Sequence, residues 1–219
     1  SRIGESLIYV PDGTFTYTLS NIQTVFPKTV NPSMGVSYTT NTISASVATE
    51  EDLQTRHNLA RSSYDLKNAT GAYPHVTTST DCRNQADFEG RNAIDGFHNN
   101  KGHGGYSAQS WGPELQRDDP FEQQYFQVDF GREVYADEVR INIRADFPHD
   151  TYYTSATLEF SDGSTEEIQM RKTADAQVFT FEPRETSYVK IKDLRVVDQN
   201  GDDWAGITEF EVYGTENEP

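Results

Sequence analysis

Arg144, Asp146, His149, Asp150, Tyr152 and Tyr153 crowd into one short stretch directly after the alternating run DEVRINIRA. A connection that only reverses the chain can be made of Gly, Asn and Ser, so these hydrogen-bonding and aromatic groups point to a surface that holds something. Saccharides suit such groups. A guanidinium, carboxylate or imidazole grips neighbouring hydroxyls in pairs, and an aromatic ring receives the apolar C–H face of a pyranose. Arg144, Asp146 and His149 are the candidate grips, and Tyr152, Tyr153 or Trp204, the last from DQNGDDWAG, is the candidate platform. Two other readings fit the same residues. Phe147 and Pro148 can plug the end of a fold while Arg144 pairs with Asp146 or Asp150. Alternatively His149, with a Tyr and Arg144, can abstract a proton beside a uronate carboxylate, although no recognised lyase motif accompanies them.

Composition narrows the partners. The 219 residues carry 35 acidic against 18 basic side chains, a formal charge of -17, which repels phosphate backbones over most of the surface. Nucleic acid is therefore excluded as the expected partner, and acidic glycans are disfavoured unless a local basic pocket offsets the field. Lipid is disfavoured too, because the loops are polar and aromatic rather than tipped with Leu or Met. No apolar run is long enough to cross a bilayer and no charged-then-apolar leader is visible, which leaves the compartment open between cytoplasm and cell surface. Cys82 is alone, so no internal disulfide forms.

The elements that must position the candidate residues are strands. Apolar residues make up only 34% of the chain, but 12 Tyr and 12 Phe suit pleated, half-buried surfaces and compensate for sparse aliphatics. From residue 58 onward, QQYFQVDFG, ADEVRINIRA, SATLEFSDGS, TEEIQMRK, AQVFTFEPR, TSYVKIKDLRVV and AGITEFEVYG read as successive short strands, with Asp162-Gly163 making a tight turn. Such spacing predicts an all-β antiparallel sandwich or jelly roll. Upstream, residues 6–19 read as a hairpin around Pro11-Asp12-Gly13, and Ile43, Ala45 and Val47 as a half-buried strand. Thr49, with Asp52 three residues on, predicts an N-capped helix of about two turns, the one helix in the chain. We expect residues 1–57 to form an N-terminal β extension packed on the sandwich of residues 58–219.

The order RNAIDG, QSWG, YFQVDFG, ADEVRI, ATLEFSDGS, SYVKIKDL and ITEFEVYG resembles the discoidin, or coagulation-factor C-terminal, domains. That group shares the galactose-binding-like jelly roll with many bacterial carbohydrate-binding modules, and the likeness covers roughly residues 58–214. The resemblance implies two facing antiparallel sheets, ligand loops at one end and a structural calcium. By the same likeness Asp95 and Glu209 supply carboxylates to that ion and Asn92 supplies a carbonyl. Gln109 stands where the relatives place a hydroxyl residue, and the loop before it is longer. Without an ion, Asp95 caps its own turn and Glu209 pairs with a nearby cation.

Three further features carry less. The Gly-rich run around His98, His103 and Tyr106 lacks the order of a phosphate-binding loop, and its histidines lack a zinc spacing. Trp111 is expected at the core edge. Lys190, Lys192 and Arg195 form a basic stripe, either a solvated strand face or a landing place for an acidic sugar. The reading as a whole is a non-catalytic saccharide- or polysaccharide-binding protein. A polysaccharide lyase and a protein- or membrane-docking module are the alternatives, and the sequence leaves the particular sugar and the oligomeric state open.

Overall fold

The structure, a computed structural model, describes residues 6–11, 45–62, 71–79, 90–96, 123–144, 152–197 and 205–218. The elements are helix α1 (Glu50–Gln54) and strands β1 (His57–Asn58), β2 (His75–Thr78), β3 (Tyr125–Ile143), β4 (Tyr152–Phe160), β5 (Thr165–Gln169), β6 (Gln177–Val197) and β7 (Ile207–Thr215). A 3-10 turn over Gly90–Ile94 precedes β3. All pairings are antiparallel, in the order β1-β7-β3-β6-β4-β5, with β2 on the free side of the first half of β3.

Each of the two long strands joins segments that the sequence pattern divides. YFQVDFG and ADEVRINI run on as β3, and QVFTFEPR and SYVKIKDLRVV as β6. Bends replace breaks. The register between β3 and β6 shifts between Asp129 and Val134, where Gly131 has φ +70, a left-handed conformation open to glycine. A Cβ at Gly131 would lie 2.4 Å from the Tyr73 ring. The first half of β3 pairs with β2 and the late part of β6, and the second half with β7 and the early part of β6. One hydrogen-bonded sheet thereby folds over itself into a β-sandwich.

Alternation fills the space between the layers. Phe126, Val128 and Phe130 from early β3, Val139, Ile141 and Ile143 from late β3, Leu158 and Phe160 from β4, Val189 and Ile191 from β6, and Phe210 and Val212 from β7 are all buried in one cluster. The Phe126 and Phe210 rings meet across the layers with centroids 5.2 Å apart. At the far end of β4, Gly163 takes φ +81 and donates its N–H to the Phe160 carbonyl at 2.9 Å, closing the expected Asp162-Gly163 turn.

The described upstream residues hydrogen-bond to the sandwich. Tyr9 exchanges backbone hydrogen bonds with Tyr73 at 3.0 and 2.8 Å, rather than with a hairpin partner among the described residues; residues 12–19 lie outside them. Residues 45–49 form no strand and Val47 is 93% exposed, which corrects the strand expected over Ala45 and Val47; Ile43 lies outside the described residues. Alternation of small apolar residues is not enough without a partner strand. Helix α1 has the expected cap: Thr49 Oγ1 accepts the Asp52 N–H, and Asp52 accepts the Thr49 N–H in return. It ends after five residues instead of two turns, because Thr55 turns extended and the chain joins β7 through β1. The Leu59 amide donates to Val212 and the Glu216 amide to Leu53.

Candidate functional site

Four strand ends meet at one pole. The Arg144 amide, just past the end of β3, donates to the Gly206 carbonyl at 2.8 Å, and the Tyr153 hydroxyl donates to the Ala205 carbonyl at 3.2 Å. Tyr152 opens β4 opposite Val197 at the end of β6. The connections 145–151 and 198–204 therefore start and finish around a common rim. Asp146, His149 and Trp204 belong to those connections and lie outside the described residues, as do Cys82, His98, His103, Tyr106 and Trp111.

The described candidates take different positions on the rim. Arg144 is 1% exposed and belongs to its floor rather than its surface. Tyr153 is fully buried and joins the core, as the inward member of the alternating pair that opens β4. Tyr152 is half-buried, packs against the core and keeps part of its surface exposed at this rim.

A second site lies where the 3-10 turn packs on β7. Gly96, with φ +83, donates its N–H to Glu209 Oε1 at 2.9 Å. Glu209 is 0% exposed and its Oε2 has no hydrogen-bond partner among the described residues. Burial pushes this carboxyl well above the usual range, the Asp95 and Glu211 carboxylates push it further, and the Gly96 amide and Arg61 only partly oppose them. An enclosed acceptor facing a second carboxylate is costly unless a proton or a cation satisfies it. Hard oxygens of this kind suit a hard cation; Asn92 lies within the same turn and Asp95 directly follows it.

Both lysines of the basic stripe are paired. Lys192 Nζ lies 2.5 Å and Lys190 Nζ 3.8 Å from the two oxygens of Glu159 on β4, and the Tyr188 hydroxyl donates to the same carboxylate at 3.3 Å. The Lys192 bond holds the Glu159 carboxyl below its ordinary range, against a smaller effect of burial. Lys190 also lies over the Tyr125 ring at 4.8 Å. These lysines balance a neighbouring strand rather than awaiting an anion.

Sequence reasoning passed over one cluster. His57 Nδ1 lies 2.7 Å from the Thr55 carbonyl and Nε2 3.3 Å from Glu216 Oε1, while Arg132 Nε donates to Glu216 Oε2 at 2.7 Å and its guanidinium stacks on Tyr9. Residues so far apart in the chain share no spacing that could have revealed them.

The F5/8 type C domain model matches residues 75–210. No curated protein matches the chain. Among solved structures, chitosan-binding module 1 from a chitosanase/glucanase of Paenibacillus sp. IK-5 is 23% identical, covers 72% of this chain and 99% of its own, and has a TM-score of 0.46. A fucose binding module of Streptococcus pneumoniae is 16% identical over 73% of this chain and 96% of its own, with a TM-score of 0.47. A family 32 carbohydrate-binding module of C. perfringens, solved with galactose, is 15% identical over 64% of this chain and 92% of its own, with a TM-score of 0.43.

Proposed function

The chain belongs to the F5/8 type C domain family, and from that premise we propose that it is a non-catalytic saccharide-binding protein whose ligand sits on the rim formed by the ends of β3, β4, β6 and β7. The observation that carries this reading is the convergence of Arg144, Tyr152 and the Ala205–Gly206 backbone at one pole. The two connections that join these strand ends are rich in grips and rings by sequence, with Asp146 and His149 in one and Trp204 in the other. In this reading Arg144 orients the floor, Asp146 and His149 hold hydroxyls, and Tyr152 or Trp204 receives the sugar face. The charge of -17 favours uncharged glycans over nucleic acid.

A structural calcium belongs to the same proposal. Glu209, Asp95 and the Asn92 carbonyl are the residues that would hold it, and the unsatisfied Glu209 Oε2 is the feature that fits. The ion would neutralise two adjacent carboxylates and tie the 3-10 turn to β7. Its role would be structural, since it would stabilise the folded chain by linkage.

A glycan array tests the function. We expect retention of at least one neutral saccharide, and a loss of at least tenfold in affinity for both Trp204→Ala and His149→Ala. Absence of binding across the array, or unchanged affinity in both variants, defeats the reading. For the ion, calcium added to chelator-treated protein should raise the melting temperature, and Glu209→Gln should remove that shift.

A further inference from the structure

Residues 45–56 lie on the sandwich without entering its core. Helix α1 buries none of its residues, and over this stretch only Ala48 and Leu53 are even half-buried. The chain is fixed further on, where Asn58 Oδ1 accepts the Val212 N–H at 3.2 Å and Leu59 and Ala60 become buried. A segment with so little apolar contact belongs to the least stable part of a fold, and polar bonds must hold it. The Glu216 amide donates to the Leu53 carbonyl at 3.0 Å, and the two residues of β1 pair with Gly214 and Tyr213. Arg56 reaches Asp137 at 2.7 Å and Glu138 at 3.1 Å, but its side chain is 41% exposed, so water and salt screen both pairs.

The enclosed tie is His57. Its Nδ1 lies 2.7 Å from the Thr55 carbonyl, and its buried Nε2 lies 3.3 Å from Glu216 Oε1 without a hydrogen-bond partner among the described residues. A neutral ring must turn a lone pair towards one of these oxygens, Nε2 towards Glu216 or Nδ1 towards Thr55, whichever nitrogen keeps the proton. The charged groups around it are Glu216 just past β7, Arg132 from the bend in β3 and Asp52 from α1. Arg132 already holds Glu216 Oε2 and opposes a charge on the ring, whereas both carboxylates favour it. Burial alone would lower the His57 pKa, yet Glu216 and the Thr55 carbonyl raise it above its ordinary 6.5. A raised value means that the tie is complete below pH 6.5 and is lost as pH rises through the folded-state pKa.

We propose that residues 45–57 form a pH-released strap, clasped on the end of β7 while His57 is protonated and detaching as a unit when the proton leaves. The rest of the sandwich stays folded. Arg132 keeps Glu216, and Tyr9 keeps its backbone bonds to Tyr73, because neither depends on the imidazole. Since β1 is the outer neighbour of β7, detachment bares the backbone edge of Gly214–Glu216. That edge lies at the end of β7 opposite to Gly206, so the device acts away from the rim and does not rest on the saccharide reading.

Hydrogen exchange of the whole chain tests the strap, read amide by amide as protection factors that remove the intrinsic effect of pH. The Glu216 amide is the reporter, since its acceptor is the Leu53 carbonyl of the strap. Between pH 6 and pH 9 its protection should fall about fivefold or more. At pH 9 its exchange should respond to sub-denaturing urea with a slope well below that of global unfolding, because a short segment uncovers little surface. His57→Gln, permanently uncharged, should show the reduced protection already at pH 6 and no further fall. His57→Arg, permanently charged, should keep its pH 6 value to within about twofold at pH 9. Wild-type protection that holds at pH 9, a urea slope equal to that of global unfolding, or the wild-type fall repeated in His57→Gln overturns the strap. The wild-type measurements need no substitution and decide the matter even if a variant misfolds.

Discussion

His57 shows how a single proton binds distant parts of the chain. The Thr55 carbonyl can only accept, so Nδ1 carries a hydrogen, and Nε2 then faces the nearly enclosed Glu216 carboxylate. Only the doubly protonated ring is attracted on both sides, by a hydrogen bond to Thr55 and an ion pair, not an aligned hydrogen bond, with Glu216. Burial alone would lower the His57 pKa, but Glu216 and the Thr55 carbonyl raise it above its ordinary 6.5, against a small opposing effect of Arg132. Burial would likewise raise Glu216, yet His57 and Arg132 bring it below its ordinary 4.5. The histidine's contribution is complete below pH 6.5 and fades as pH rises through its elevated pKa; the glutamate's is complete above pH 4.5 and fades as pH falls through its lowered one. Their joint contribution is therefore greatest between those values. We predict that the urea midpoint of the wild type falls more between pH 6 and pH 9 than that of His57→Gln, which should cost about 1 kcal/mol at pH 6.

Helix α1 and the bend in β3 are decided by different physics. The cap of α1 is local, a reciprocal pair between Thr49 and Asp52, so its loss should remain local. Thr49→Ala should weaken the helix by about 1 kcal/mol, seen as roughly fivefold faster exchange of the Leu53 and Thr55 amides with little change in the global midpoint. The bend is different. Gly131 combines a left-handed backbone with contact against the Tyr73 ring, and Tyr73 in turn pairs with Tyr9. Gly131→Ala meets both penalties at once and should cost about 1–3 kcal/mol of global stability by chemical denaturation. It should also loosen the Tyr9 amide, since the same ring supports that bridge.

At the scale of the molecule, one core joins both layers and one charge imbalance opposes compactness. Phe210 meets Phe126 from the opposite layer and is fully buried, so Phe210→Ala should cost about 3–5 kcal/mol and lower the midpoint seen by every probe. The excess of acidic groups repels itself, and screening it should help folding. We predict that the melting temperature of the wild type rises between 10 and 200 mM sodium chloride, measured in chelator so that calcium does not contribute. Local attractive pairs such as Lys192 with Glu159 weaken over the same range, but the 18 basic groups leave 17 of the 35 acidic ones in excess.

Strands, turns and the cap were legible because each depends on residues a few places apart. Alternation drew Phe126, Val128 and Phe130 to one side, Asp162-Gly163 made its turn, and Thr49 met Asp52, all as their spacing requires. Ordered motifs revealed the family for the same reason. Spacing did not say that Ala45 and Val47 would lack a partner strand, or that β3 and β6 would bend instead of ending. Nor did it say that Arg144 would be buried or that Glu159 would occupy Lys190 and Lys192. Those outcomes depend on which strands pair and what each face then covers, and long-range contact settles both only when the whole chain has folded.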